Sequence, residues 1–320
     1  MEAKKKISFA DIYSKYGIII ILIAAVIIAS FISSNFLTPT NISNIIRQNA
    51  VVMIIAFGSQ MVLITGEVDL SPGSVLALAG VAATMVMKVT NNAVISLIVG
   101  VLVGAAFGLA NGLVITKCRI PAFIMTLATQ FIGRGVVLMI TDSQPVSGLG
   151  ESFLVYGQGN IFGVIPVPTV IMVIVLVFYA ILMGKRKFGR YVYAVGGNAE
   201  AARSSGINVD RIKTLAFLFA GAVAGLGGVV LMSRMNSGQP TAGEAYEFDA
   251  ITAAIIGGTS MSGGSGKIYG TVVGALFVGV LLNIMTQMNV SAYAQKIVKG
   301  AIICFAVIVD AQVRRAQKVD

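Results

Sequence analysis

Apolar tracts recur along the whole chain, separated by short polar or Gly- and Pro-bearing breaks. Most approach the roughly 20 residues that a helix needs to cross a bilayer. They predict ten membrane helices, at residues 16–34, 44–65, 72–90, 93–116, 121–140, 165–184, 214–234, 246–260, 268–288 and 293–311. Start signals agree with this division. Thr40 and Asn41 can cap the second helix, Ser71 before Pro72 supplies a cap and a first-turn proline for the third, and Pro121 opens the fifth. The eighth tract is short and ends in glycine, the pattern of a broken or re-entrant segment. The longest outer loop is expected at 141–168, which holds Pro145, Pro166 and Pro168.

One polar island interrupts the apolar pattern, KRKFGRYVYAVGGNAEAARSSGINVDRIK at 185–213. It carries Lys185, Arg186, Lys187, Arg190, Arg203, Arg211 and Lys213, seven of the chain's 23 basic residues. Basic loops stay on the cytoplasmic side of a membrane protein. Within the island Asn198 suits an N-cap, Glu200 favours the positive end of a helix, and Gly206 supplies a left-handed stop, which predicts a short helix from Ala199 to Ser205. Ala199 and Ala202 share a face of that helix, small enough to seat in a partner's groove.

Composition narrows the class. The chain is 57% hydrophobic and only 11% charged, against about 25% charged in soluble domains. An all-α, polytopic helical membrane protein follows, one transmembrane domain over 1–320, and a soluble fold or a transmembrane barrel is excluded. The net charge of +10 does not imply nucleic acid. With both termini inside, including a cytoplasmic segment at 1–15, most Lys and Arg fall in inner loops, facing anionic membrane lipid. The two cysteines, Cys118 and Cys304, make neither a disulfide nor a metal site, and there is no histidine. The N-terminal apolar run lacks a cleavage pattern and reads as an uncleaved first span.

Glycine spacing speaks to packing. Gly100, Gly104, Gly108 and Gly112 recur every four residues along one helix face, as do Gly221 with Gly225 and Gly270 with Gly274. Small residues at that spacing let helix backbones approach closely in lipid. Spans two to five and seven to ten form two sets of four, the arrangement of an inverted repeat. The stretch GGTSMSGGSGK at 257–267 lacks the spacing of a phosphate-binding loop and reads as a flexible cytoplasmic turn. Glu67 and Asp69 fall in an inner loop, and Glu244, Glu247 and Asp249 at the outer edge of the eighth span. None is expected at mid-membrane, where ion coupling would need it.

Three stretches carry a resemblance: VLITGEVDLSPGSVLAL at 62–78, GRYVYAVGGNAEAARSSGINVDRIK at 189–213 and QPTAGEAYEFDAITAAIIGGTSMSGGSGKIYGT at 239–271, with IVKGAIICFAVIVD at 297–310. Nearly end to end the chain resembles the membrane permeases of bacterial ATP-binding-cassette (ABC) sugar importers, most of all those of ribose type. Glu67 departs from the small or apolar residue usual there. The resemblance implies a transport subunit in the cytoplasmic membrane that moves a monosaccharide, ribose or a related sugar, and does no covalent chemistry. It implies ATPase subunits as separate chains that bind the ATP, an extracytoplasmic sugar-binding protein, and a second permease copy or paralogue. No cofactor or metal is expected on the chain itself. The island becomes a coupling helix docking on the ATPase, which falls on Gly196, Gly197, Asn198, Glu200, Ala201, Ala202, Ser205, Gly206 and Ile207. The resemblance names neither the sugar nor the residues along its path. The competing reading is an ion-coupled secondary transporter.

Overall fold

The computed structural model describes residues 9–317. Residues 1–8 of the expected cytoplasmic N-terminal segment lie outside them. The chain forms α1 (Phe9–Ile32), α2 (Pro39–Ile64), α3 (Pro72–Thr90), α4 (Ala93–Cys118), α5 (Ala122–Ile140), α6 (Glu151–Gln158), a small antiparallel hairpin of β1 (Asn160–Ile161) and β2 (Ile165–Pro166), α7 (Val167–Lys185), α8 (Lys187–Gly197), α9 (Ala199–Ser204), α10 (Val209–Met235), α11 (Tyr246–Ile256), α12 (Ile268–Gln287) and α13 (Ala292–Gln317). Ten of these helices overlap the expected spans, and among the described residues seven are long and apolar enough to cross a membrane.

The burial pattern explains why this chain needs lipid around it. On α4 the buried positions are Ser96, Gly100, Gly104, Gly108, Asn111, Gly112, Ile115 and Thr116, while Val94, Ile98, Leu102 and Leu109 are exposed. The small and polar stripe faces the protein and the large apolar one faces outward. In water that arrangement would forfeit the hydrophobic driving force; in hydrocarbon, close backbone packing holds the helices together instead. The glycine stripe lies against α10, antiparallel to it. A methyl at Gly104 would overlap the Gly221 carbonyl and sit 2.8 Å from Gly225 Cα; one at Gly112 would sit 2.7 Å from Thr214 Cα.

α2 and α10 are buried almost all round and cross antiparallel at the centre, where a methyl on Gly58 would meet Ala220 Cα at 2.8 Å. The packing repeats around them: α3 and α4 pack on α10 as α11 and α12 pack on α2, and α5 lies on α3 as α13 lies on α11. The sequence GVLVGAAF at 100–107 on α4 has its counterpart GTVVGALF at 270–277 on α12. The two sets of four therefore share one packing pattern about the α2–α10 crossing, as an inverted repeat would.

Several other details differ from the sequence expectations, while α11 bears out the broken pattern of its tract: with 11 residues, about 16 Å at 1.5 Å per residue, it is too short to cross. It is a half-helix entered through the irregular stretch 236–245. α2 begins at Pro39 with Thr38 as its cap, its hydroxyl accepting from Asn41 N at 3.4 Å, because Pro39 supplies the first-turn proline that Thr40 lacks. Ser71 precedes Pro72 but makes no cap bond; its hydroxyl donates instead to Asp69 at 2.7 Å. Most of the stretch before Asn198 is helical, as α8, with Val192 and Val195 buried and Lys187 and Arg190 exposed.

Candidate functional site

α9 is held by its own ends. Asn198 Oδ1 accepts from Ala201 N at 2.9 Å, which satisfies one of the orphan donors of the first turn. At the other end Gly206 takes φ +82°, its N–H reaches the Arg203 carbonyl and Ile207 N–H reaches the Ala202 carbonyl, each at 3.0 Å. This pair of bonds is the glycine-ended C-terminal motif that closes a helix. Glu200 and Arg203 pair at 3.3 Å, and Arg203 also approaches Asp210 at 3.6 Å. These exposed pairs contribute little to stability.

The expected contact face of α9 is reversed. Ala202 is only 5% exposed and packs into the protein's own core, with Ala199 and Ile207 against the same cluster. The outward face carries Glu200, Ala201, Arg203, Ser204 and Ser205, with Gly197 at the entry. Three-residue spacing put Ala199 and Ala202 on one side, but only the fold decides which side meets solvent. Beside this face an open cavity of about 330 Å³ is lined by Arg203, Gly206, Ile207, Asn208, Val209 and Asp210.

The 257–267 turn, expected to be flexible, is tied down beside α8. Gly264 N–H donates to the Ile64 carbonyl at 2.9 Å, Gln60 Nε2 to Thr259 Oγ1 at 3.1 Å, and Tyr193 Oη to the Gly266 carbonyl at 2.8 Å. Burial pushes the Tyr193 hydroxyl above its ordinary value, so it remains a donor at neutral pH.

Inside the bundle the two irregular stretches, 65–71 and 236–245, bring polar groups below the surface. Asn111 Nδ2 donates to Ser71 Oγ at 3.1 Å, Thr129 Oγ1 to Asn111 Oδ1 at 2.5 Å, and Thr126 Oγ1 accepts from Leu70 N at 3.0 Å. Glu67 pairs with Lys213 near the first turn of α10. The placement of Glu247 and Asp249 at an outer edge is corrected. Glu247, 1% exposed, accepts from Gln130 Nε2 at 2.7 Å. Gln130 lies on α5 about 12 Å from that helix's start at Ala122, so the carboxylate is deep in the bundle. Asp249 is buried beside Lys299 at 2.7 Å. Arg134 donates to the Pro240 and Ala242 carbonyls. The broken or re-entrant pattern of the 246–260 tract does not by itself show how deep its first residues lie. In a half-helix its first residues sit inside, and Gly243 and Pro240 just before it were the available signal.

Among the described residues no group of three or more His, Cys, Asp or Glu is placed to hold a metal ion. No solved structure matches the chain. Residues 41–307 match the family described as the permease component of branched-chain amino acid transport systems. The chain is 44% identical to the ribose import permease protein RbsC of Bacillus subtilis, over 96% of each chain. It is 41% identical to RbsC of Escherichia coli K12, over 91% of this chain and 92% of that one. With the L-arabinose transport system permease protein AraH of Escherichia coli K12 it shares 38%, over 98% and 96%. Together with the membrane-facing exterior and the repeated packing pattern, this places the chain in that family: it is a membrane-spanning permease of the branched-chain amino acid transport permease family, similar along nearly its whole length to ribose-type members.

Proposed function

We propose that this protein is the membrane permease of an ATP-driven importer for a monosaccharide, ribose or a close relative. Similarity across almost the entire length of a ribose import permease carries the reading. In this reading the side bearing α8, α9 and the 257–267 turn faces the cytoplasm, with the basic residues of 185–213 holding it there. The outward face of α9 docks in a groove of a separate ATPase chain, which binds the ATP and biases the permease between two states by contacting them differently. A second permease copy or paralogue and an extracytoplasmic sugar-binding protein complete the assembly.

The buried carboxylates Glu247 and Asp249 favour the competing reading, because intramembrane acids often serve ion coupling. Each has a partner, Gln130 and Lys299 respectively, which fits a structural role equally well. Uptake separates the two. Vesicles carrying the permease with its ATPase and binding protein are expected to accumulate labelled ribose only with ATP, and to continue when proton and sodium gradients are collapsed. Uptake by the permease alone on such a gradient would overturn the ATP-driven reading. Arabinose and allose in the same assay define the sugar.

Orientation has its own test. In a version lacking Cys118 and Cys304, Ser204→Cys is expected to resist an impermeant thiol reagent applied to intact cells and to react after the membrane is opened. Labelling from outside would invert the topology.

A further inference from the structure

Three chain segments meet where α8 touches the bundle. The Ile64 carbonyl, at the end of α2, belongs to the set that a helix leaves without an internal partner. It is taken by Gly264 N–H of the 257–267 turn, and Gly196 of α8 is seated on the same carbonyl. A methyl on Gly196 would overlap that oxygen and lie 2.6 Å from Gly264 N. Gly263 and Gly264 have φ of +85° and +74°, which lets the turn press its backbone onto its neighbours. A methyl on Gly263 would lie 2.8 Å from both Gly196 O and Gly66 N, and one on Gly264 2.9 Å from Gly197 Cα. Backbone therefore meets backbone on all three sides, with the Tyr193–Gly266 bond as a tether at the edge.

The segments joined here lead inward by different routes. Gly66 opens the 65–71 stretch that reaches Ser71 and α3. The 257–267 turn follows the half-helix α11. α8 runs directly into α9, with Asn198 as their shared end. Contacts between side chains can absorb a shift by changing rotamer; contacts between backbones cannot, and close-packed elements move together or switch as units.

We infer that this junction is the positioning element of the transport cycle: Gly196 and Tyr193 tie α8 to the Ile64 carbonyl and the 257–267 turn, so that movement of the docked α9 reaches the inner ends of both repeats. The inference rests on the docking role proposed for α9. The alternative is a static brace that only holds the fold.

The test compares the unmodified permease, Tyr193→Phe, Gly196→Ala and the control Gly184→Ala in the complete complex with its ATPase and binding protein. Gly184 has nothing within 4 Å of an added methyl and lies outside the junction. Four quantities are read: permease level in the membrane, ATPase co-purification, ATP hydrolysis, and sugar taken up per ATP hydrolysed. Tyr193→Phe removes one hydroxyl and is expected to leave level and co-purification unchanged while sugar per ATP falls about fivefold. Gly196→Ala is expected to lower the ratio further, and Gly184→Ala to match the unmodified protein. An unchanged ratio in Tyr193→Phe with ATPase binding intact would overturn the junction alone. So would a loss of ATPase binding with a normal ratio in the complexes that remain. Absence of ATPase binding by the unmodified permease would instead overturn the docking role, and this inference with it.

Discussion

Gly104→Leu is expected to remove folded permease from the membrane. Gly104 faces α10 where Gly221 and Gly225 supply no side chain, and a methyl alone would already overlap the Gly221 carbonyl. A leucine adds three further carbons where only backbone lies opposite, so α4 and α10 must separate. In a soluble protein, side chains repacking behind the gap would recover part of the loss. In lipid the helices are held by the close contact itself, and parting them surrenders dispersion and backbone packing without a hydrophobic reward for staying together. Small-to-large changes in packed cores cost about 1–3 kcal/mol, and a backbone-on-backbone contact belongs at or above the upper end. Membrane level and thermal stability in detergent report the outcome. Gly135→Leu, at a position where an added methyl meets nothing within 4 Å, is the matched control and should be tolerated. Equal stability of the two variants would remove the glycine stripe from the packing that holds the bundle.

Ala201→Trp should give the opposite pattern, intact permease without transport. Ala201 lies on the exposed face of α9 between Glu200 and Arg203, and its side chain contributes nothing to the core. A tryptophan there leaves the Asn198 cap and the Gly206 stop in place, so α9 persists. If that face seats in an ATPase groove, a large ring overfills it and ATPase co-purification and uptake should each fall more than about tenfold, which is 1.4 kcal/mol of lost docking. Ala202→Trp makes the useful contrast. Ala202 is buried against the protein's own core, so that change should lower permease level rather than docking. Normal ATPase binding with Trp at 201 would exclude this face from the interface.

The contrast between Ala201 and Ala202 shows where the sequence stops being sufficient. Capping and helix termination are local: the Asn198 side chain needs only the next turn's N–H groups, and Gly206 needs only the steric freedom of a residue without Cβ. Both were legible, and α9 ends within one residue of its expected limit. Which side of α9 is covered depends on how α8 and α10 fold back against it, and no pattern within α9 itself carries that. The same holds for Tyr193 and the 257–267 turn, which read as a loose linker because glycines permit flexibility, whereas here they permit contact.

The apolar tracts, the four-residue glycine spacing and the excess of cations in 185–213 were enough to establish a helical membrane protein, its approximate spans, and the stripe by which α4 approaches a neighbour. These follow from the sequence because each is a demand of the bilayer on a single segment: length to cross, no large group at a close contact, charge kept in water. The tertiary structure decided where the broken 246–260 tract stops, as α11, that Glu247 and Asp249 lie inside with Gln130 and Lys299 as partners, and that α2 and α10 form the central crossing. A carboxylate costs several kcal/mol in hydrocarbon unless a donor meets it. Its depth is therefore set by where the fold supplies that donor, and Gln130 is more than a hundred residues away along the chain.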